Sequence, residues 1–139
     1  MSLYLFDTDS VTLYQLGNAL VLRNIMRHLG DTFSVSVITV EEQLVGWQTA
    51  LRQARDDRRR ELIYERMARA VENLAGWRVF AYPLSAMNRH AAFMRQRSNV
   101  GANDSKIAAI ALEFGATIIT RNLRDFRRIP GVVAEDWVV

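Results

Sequence analysis

The sequence predicts an α/β fold, a three-layer α/β/α sandwich built on a central, mainly parallel five-stranded sheet. Short apolar runs rich in β-branched and aromatic residues alternate along the chain with longer segments of helical periodicity. Such alternation is typical of parallel sheets that helices cover on both faces. The chain has 139 residues, half of them hydrophobic, and it contains no linker or internal repeat. We therefore expect one domain over residues 1–139.

The predicted strands and helices follow one another along the whole chain. The strand sequences, in order, are LYLF, FSVSVI, WRVFAY, ATIIT and VVAEDWVV. The predicted helices lie between them, at residues 18–29, 40–53, 57–75, 83–97 and 103–115. Apolar residues recur at helical spacing in 18–29 and 40–53, whereas 57–75 is strongly charged. Pro83 is typical of a helix start, and Gly115 is typical of the position after a helix end.

The composition of the chain narrows its functional classes. The net charge is +3, and arginine supplies every positive side chain except Lys106, which suits binding of phosphate or carboxylate but also fits solvated helix faces. The absence of cysteine excludes disulfides, thiolate nucleophiles and zinc-thiolate sites. No apolar run approaches the roughly 20 residues of a membrane span, and Asp7 interrupts the N-terminal stretch. We therefore expect a cytoplasmic protein with no membrane partner.

Acidic residues follow the predicted strands at the edge where open parallel sheets bind ligands. They are Asp7 and Asp9 after the first strand, Glu41 and Glu42 after the second, Asp104 at the start of the helix before the fourth, and Asp125 after the fourth. Each of these residues, taken alone, also fits a helix cap or an exposed position. Their common location is what indicates a site.

Helical spacing predicts the direction of two of these carboxylates. Asp104 shares a helical face with Ile107 and Ala111, so it should point inward at the strand ends. Glu42 begins a face of mostly small residues that includes Gly46, where another backbone could approach closely.

Carboxylates that converge on one place repel one another unless a cation neutralises them. The expected cation is Mg²⁺ or Mn²⁺, because both take oxygen ligands and leave positions open for a substrate phosphate. Such an ion activates water for attack at phosphorus, so phosphodiester hydrolysis is the predicted chemistry. The two histidines, His28 and His90, are interpreted as ordinary helix residues.

Four segments carry motifs of more specific order and spacing. They are YLFDTDSVTLY, SVITVEEQLVG, NDSKIAAIALEFGATIITRNLRDFRRIPG and VAEDW. Together they resemble the PIN domain family, and specifically the VapC-type ribonuclease toxins of bacterial toxin–antitoxin pairs. The resemblance implies four catalytic, metal-binding acids with two hydrogen-bonding supporters. The acids are Asp7, Glu42, Asp104 and Asp125, and the supporting residues are Thr120 and Asn122.

Two features depart from the pattern of that family. Asp9 stands where the family often has asparagine, so it is assigned a supporting role, as ligand or turn residue. The segment 52–69 is crowded with arginine, and it could contact either the RNA or an antitoxin.

The resemblance also implies an activity and partners. The expected protein is a Mg²⁺- or Mn²⁺-dependent endoribonuclease, the toxin of a toxin–antitoxin pair, with an RNA substrate, a cognate antitoxin and a homodimeric state. Residues near Asp125 are candidates for binding RNA phosphate, namely Arg121, Arg124, Arg127 and Arg128. Candidates for the antitoxin groove, each with core packing as its alternative, are Tyr14, Leu16, Trp47 and Leu51.

Two other functions compete with this interpretation. An apolar strand followed by D-x-D also begins haloacid dehalogenase-like phosphatases, in which Asp7 would be the nucleophile. That class expects a later lysine and a final pair of acids, whereas Lys106 is the only lysine and lies beside Asp104. The other alternative is a PIN-like binding module without catalysis, which the presence of all four acids disfavours.

Overall fold

The computed structural model describes residues 1–96 and 99–139, which form five strands and seven helices. The strands are β1 (Leu3–Phe6), β2 (Thr32–Ser36), β3 (Arg78–Phe80), β4 (Thr117–Ile119) and β5 (Ala134–Glu135). The helices are α1 (Thr8–Gln15), α2 (Ala19–Arg27), α3 (Val37–Gln53), α4 (Asp57–Asn73), α5 (Leu84–Arg95), α6 (Ala102–Phe114) and α7 (Leu123–Phe126). None of these helices is long and apolar enough to cross a membrane.

All five strands belong to one sheet in the order β3-β2-β1-β4-β5, and every neighbouring pair is parallel. The predicted α/β fold with a five-stranded sheet is therefore confirmed. The central strand is β1, whose last residue, Phe6, lies opposite Ile119 of β4. The residues that follow, Asp7 and Thr120, consequently leave the sheet side by side at its carboxyl edge.

The two faces of the sheet bury separate hydrophobic clusters, because successive side chains of a strand point to opposite faces. Leu5 of β1 contributes to one cluster, together with Ile107 of α6. Tyr4 and Phe6 contribute to the other, together with Val21 of α2. Helices thus cover both faces, which produces the three layers and leaves the carboxyl edge as the place for a site.

Two short helices are absent from the sequence prediction. Helix α1 has eight residues and buries only Ser10 and Val11, so its apolar stripe is too short to be recognised. It forms because the Asp7 side chain caps its first turn. Helix α7 has four residues, about one turn, which is too few to show a helical period.

Several element ends also differ from the prediction. The predicted strand 33–38 ends at Ser36, because its hydroxyl accepts a hydrogen bond from the Thr39 backbone N–H at 3.4 Å and caps α3. In VVAEDWVV, only Ala134–Glu135 pairs as a strand. Gly115 ends α6 with a φ of 70°, as predicted. Residue 97, the last of the predicted helix 83–97, lies outside the described residues.

Candidate active site

Asp7 lies directly after β1 and performs two structural roles at once. Its Oδ1 accepts a hydrogen bond from the Ser10 backbone N–H at 2.9 Å, which caps α1, and its Oδ2 accepts one from the Thr120 hydroxyl at 2.5 Å. The side chain is buried, and this burial raises its pKa, with a smaller increase from the charge of Asp9. The hydrogen bonds from Thr120 and Ser10 oppose that increase. The Asp7 carboxylate is therefore fixed in position, and burial disfavours its ionised form.

Thr120 connects the end of β4 to Asp7. Its hydroxyl donates to Asp7 and accepts a hydrogen bond from the Asn122 backbone N–H at 2.8 Å, and the residue is fully buried. One hydroxyl thus fixes both the first acid and the start of the segment that leads into α7, the helix that carries Asp125.

Replacing Thr120 with valine should lower the free energy of unfolding by about 1–3 kcal/mol, because Asp7 and the Asn122 N–H both lose a buried partner. The pKa of Asp7 should rise further, since one of the hydrogen bonds that lower it is removed. Urea unfolding and a carboxylate NMR titration measure the two effects. Thr120→Ser keeps the hydroxyl and should retain most of both values; equal losses in the two variants would contradict the assigned hydrogen bonds.

Asp104 lies in the first turn of α6 and faces the same place. Burial, followed by the charge of Asp7 and then that of Glu42 and Asp9, raises its pKa to about 6, although a hydrogen bond from Asn122 opposes the increase. Asn122 Nδ2 lies 3.4 Å from Asp104 Oδ2, so the Asp104 side chain points at the segment that follows β4, the direction that the helical spacing predicts. Several carboxylates repel one another at this edge of the sheet.

Glu42 reaches the site from α3, and a residue absent from the sequence interpretation fixes it. The Thr8 hydroxyl donates to Glu42 Oε1 at 2.6 Å and lies 3.0 Å from the Thr39 hydroxyl. The signal that could have indicated Thr8 is its position inside the DTD motif. The interpretation of Gly46 as a point of close backbone approach is wrong within this chain, because a Cβ there would meet no atom within 4 Å.

The fourth acid is Asp125, which together with the three acids described above forms the acidic cluster. Asn122 Nδ2 donates to Asp125 Oδ2 at 3.0 Å and to Asp104 Oδ2 at 3.4 Å, so one amide links the two carboxylates. Asp125 Oδ1 lies 3.9 Å from Arg128 Nη1.

The donor set fits a partly hydrated divalent cation better than a cage made only of side chains. Among residues 1–96 and 99–139, no group of three or more Asp, Glu or His side chains is gathered closely enough to hold a metal ion. Mg²⁺, however, commonly binds through one or two carboxylates and keeps several waters. Asp7 and Asp104 are the two that could hold it, because both carry a raised pKa at a shared position where a cation would relieve repulsion.

The remaining predicted residues surround this cluster. Asp9 is exposed, as are all four candidate arginines, of which Arg121 pairs with Asp136 at 3.0 Å. His28 ends α2 and stacks on Trp137, whereas His90 Nδ1 lies 2.9 Å from the Ser105 hydroxyl. Both histidines therefore have structural contacts, in keeping with their interpretation as ordinary helix residues.

Comparison with known proteins gives consistent similarities. A family model described as PIN domain matches residues 11–132. The tRNA(fMet)-specific endonuclease VapC of Salmonella typhimurium is 45% identical over 47 residues, 34% of this chain and 36% of that protein, so the match spans about a third of the relative's length. The fold is similar to that of VapBC2 from Rickettsia felis bound to a DNA fragment from its promoter, with a TM-score of 0.80, 18% identity and coverage of 97% and 98% of the two chains. A toxin–antitoxin complex from Klebsiella pneumoniae has a TM-score of 0.69, 25% identity and coverage of 94% and 95%.

Proposed function

The chain belongs to the PIN domain family, and we propose that it is a divalent-metal-dependent endoribonuclease that acts as the toxin of a toxin–antitoxin pair. The observation that carries this proposal is the environment of Asp104, whose pKa is raised to about 6 by burial and then by the charges of Asp7 and Glu42. A nuclease relative and a toxin–antitoxin neighbour support the same activity class. Membership of this family removes the phosphatase alternative, and the intact acidic cluster disfavours a binding module without catalysis.

Asp7 and Asp104 would hold Mg²⁺ or Mn²⁺, and the ion when bound would act as a Lewis acid that activates water and neutralises charge on the phosphate. The chain's own residues orient this site. Thr120 and Ser10 hold the Asp7 carboxylate in one direction. Thr8 restrains one oxygen of Glu42, and the other oxygen would accept a proton from the attacking water.

Asn122 would keep Asp125 in the cluster by bridging it to Asp104. Arg124 lies on α7 beside Asp125, and Arg127 directly follows this helix; both are exposed and would bind substrate phosphate as bidentate donors. Arg121 is the weakest of the four arginine candidates, because Asp136 already pairs with it.

The proposed antitoxin contact is an apolar groove of about 270 Å³ between α3, α4 and β3. Side chains that line it include Leu44, Trp47, Leu74 and Val79, of which Leu44 and Val79 are 46% and 51% exposed. Such a groove suits an apolar segment of a partner. Of the groove candidates from the sequence, Trp47 lines it, whereas Tyr14 stacks on Trp77 and donates to the Asn73 carbonyl.

We also propose that residues 1–139 work as one nuclease domain, as a homodimer and in the cytoplasm, where an RNA substrate is available. The homodimer is supported by an apolar row on α5, where Leu84, Met87 and Met94 are 71%, 43% and 45% exposed. These residues recur at i, i+3 and i+10, so they share one helical face. A second copy could cover this face.

The activity is tested with the purified chain, a structured RNA and Mn²⁺. We expect cleavage products with a 5′-phosphate and a 3′-hydroxyl, and loss of cleavage in excess EDTA. Glu42→Gln should lose most of the activity, whereas Glu41→Gln, the exposed neighbour, should retain it. A 2′,3′-cyclic phosphate product, or full cleavage in EDTA, would contradict the proposed chemistry.

A further inference from the structure

The chain carries its whole excess of positive charge in one segment, residues 52–69. This segment has seven arginines and four acidic residues, so its net charge equals the +3 of the complete chain. It contains the end of α3, the turn that follows and most of α4. The rest of the chain is neutral in sum.

The two acidic residues at the start of α4 already have hydrogen-bond partners within the same turn. Asp56 caps α4 by accepting the Arg59 backbone N–H at 2.8 Å, and Asp57 pairs with Arg60 at 2.8 Å. In the described part of the chain, no carboxylate lies within ion-pair distance of the Arg55 or Arg59 guanidinium. These two cations are therefore available to an external anion.

Arg55 and Arg59 also share a concave surface. They line an open depression of about 430 Å³ between α3 and α4, where Ala50 and Ala54 provide small side chains. Exposed arginines continue from there along one face of α4, since Arg66 recurs seven residues after Arg59 and Arg69 ten residues after it. We define the depression and this row as the arginine arm.

Helix α3 joins the arginine arm to the acidic cluster. Glu42 lies near one end of this continuous helix and Gln53 at the other, about 16 Å apart at the rise of an α-helix. An extended substrate bound at the cluster would therefore meet the arm at a fixed distance.

We propose, on the basis of the proposed function, that the arginine arm binds the phosphodiester backbone of the RNA substrate away from the scissile bond. Guanidinium groups match phosphate oxygens as bidentate donors, and a row of them can follow successive phosphates. An acidic protein is the less suitable occupant. The depression offers no large apolar side chain as an anchor, whereas protein interfaces depend on such anchors at their centre.

The test measures RNA binding against salt concentration in a non-cleaving Asp104→Asn parent. Adding Arg55→Gln and Arg59→Gln should weaken binding and reduce the slope of log K against log salt by about 1.4 to 1.8, because two phosphate contacts are lost. Arg23→Gln with Arg27→Gln is the matched control, since it removes the same charge from exposed positions on α2 and should preserve the slope. In the cleaving protein, the arm variant should raise KM for the same RNA more than it lowers kcat.

The outcomes separate this inference from the proposed function. Suppose that the wild type cleaves RNA normally and that the slope of log K against log salt is the same for the arm variant and its parent. This result would contradict RNA binding by the arginine arm and would leave the nuclease assignment intact. Unchanged RNA binding by the arm variant with loss of binding to an acidic protein partner would likewise contradict RNA binding by the arginine arm. A wild type that neither cleaves nor binds RNA would overturn both.

Discussion

Replacing Asp104 with asparagine should abolish RNA cleavage and, in the metal-free protein, raise the stability at pH 7. The activity should fall on the order of 10³-fold, because a bound metal contributes several kcal/mol of transition-state stabilisation and this variant removes one of its two main ligands. The free energy of unfolding should rise by about 1 to 2 kcal/mol, a value below the full pKa shift because Asp104 is only half-buried.

The change in stability caused by Asp104→Asn should depend on pH. The pKa of Asp104 rises from 3.8 to about 6 on folding, so the folded protein binds this proton more tightly than the unfolded chain does. The stability that protonated Asp104 contributes to the folded state is fully present below pH 4 and is lost as the pH rises through about 6. The wild type and Asp104→Asn should therefore differ little at pH 4 and most at pH 7. Urea unfolding across that range in metal-free buffer measures the difference.

Metal addition provides the complementary control. Mn²⁺ should raise the unfolding midpoint of the wild type, because it binds the folded state, and should leave Asp104→Asn nearly unchanged. Glu41→Gln, at an exposed position beside the site, should behave as the wild type does. Equal stabilities of the wild type and Asp104→Asn at both pH values would show that no carboxylate repulsion is stored at this edge of the sheet.

The fold is predictable from the sequence wherever a segment is long enough to show a period. Helices α2, α3 and α6 and strands β1 to β4 each have an apolar pattern of their own, and the alternation of strands and helices indicates the parallel sheet. Helices α1 and α7 lack such a pattern. α1 depends on the cap that Asp7 provides, which becomes visible only when the strand end and the helix start are placed together.

The acids of the site are predictable because each follows a strand or opens a helix, and topology brings those ends to one edge. The contacts that hold these acids in place are harder to predict. Thr8 contacts Glu42 across 34 positions of sequence, and Asn122 links Asp104 to Asp125, so both roles depend on side-chain placement. The exposed surroundings of Gly46 are likewise a tertiary property.

Replacing Trp137 with alanine should lower the free energy of unfolding by about 3–5 kcal/mol, a large part of the typical 5–15 kcal/mol of a domain. Trp137 is 4% exposed although it lies beyond β5, and its ring centroid is 4.9 Å from that of Tyr4 and 5.5 Å from that of Phe6. The loss of this ring would leave a cavity on the sheet face that carries the aromatic cluster.

This destabilisation should also reach the site, because β5 pairs with β4, the strand that directly precedes Thr120. The Thr120 backbone N–H donates to the Glu135 carbonyl at 2.9 Å, and Glu135 Oε1 accepts from Trp137 Nε1 at 3.1 Å. A loosened C-terminal segment would therefore remove one of the contacts that hold Thr120, which orients Asp7. Cleavage by Trp137→Ala should fall even at temperatures where the protein stays folded, whereas Val139→Ala, at a position 83% exposed, should change neither stability nor cleavage. Full activity in a strongly destabilised Trp137→Ala would show that the acidic cluster is held without the C-terminal strand, by the pairing of β4 with β1.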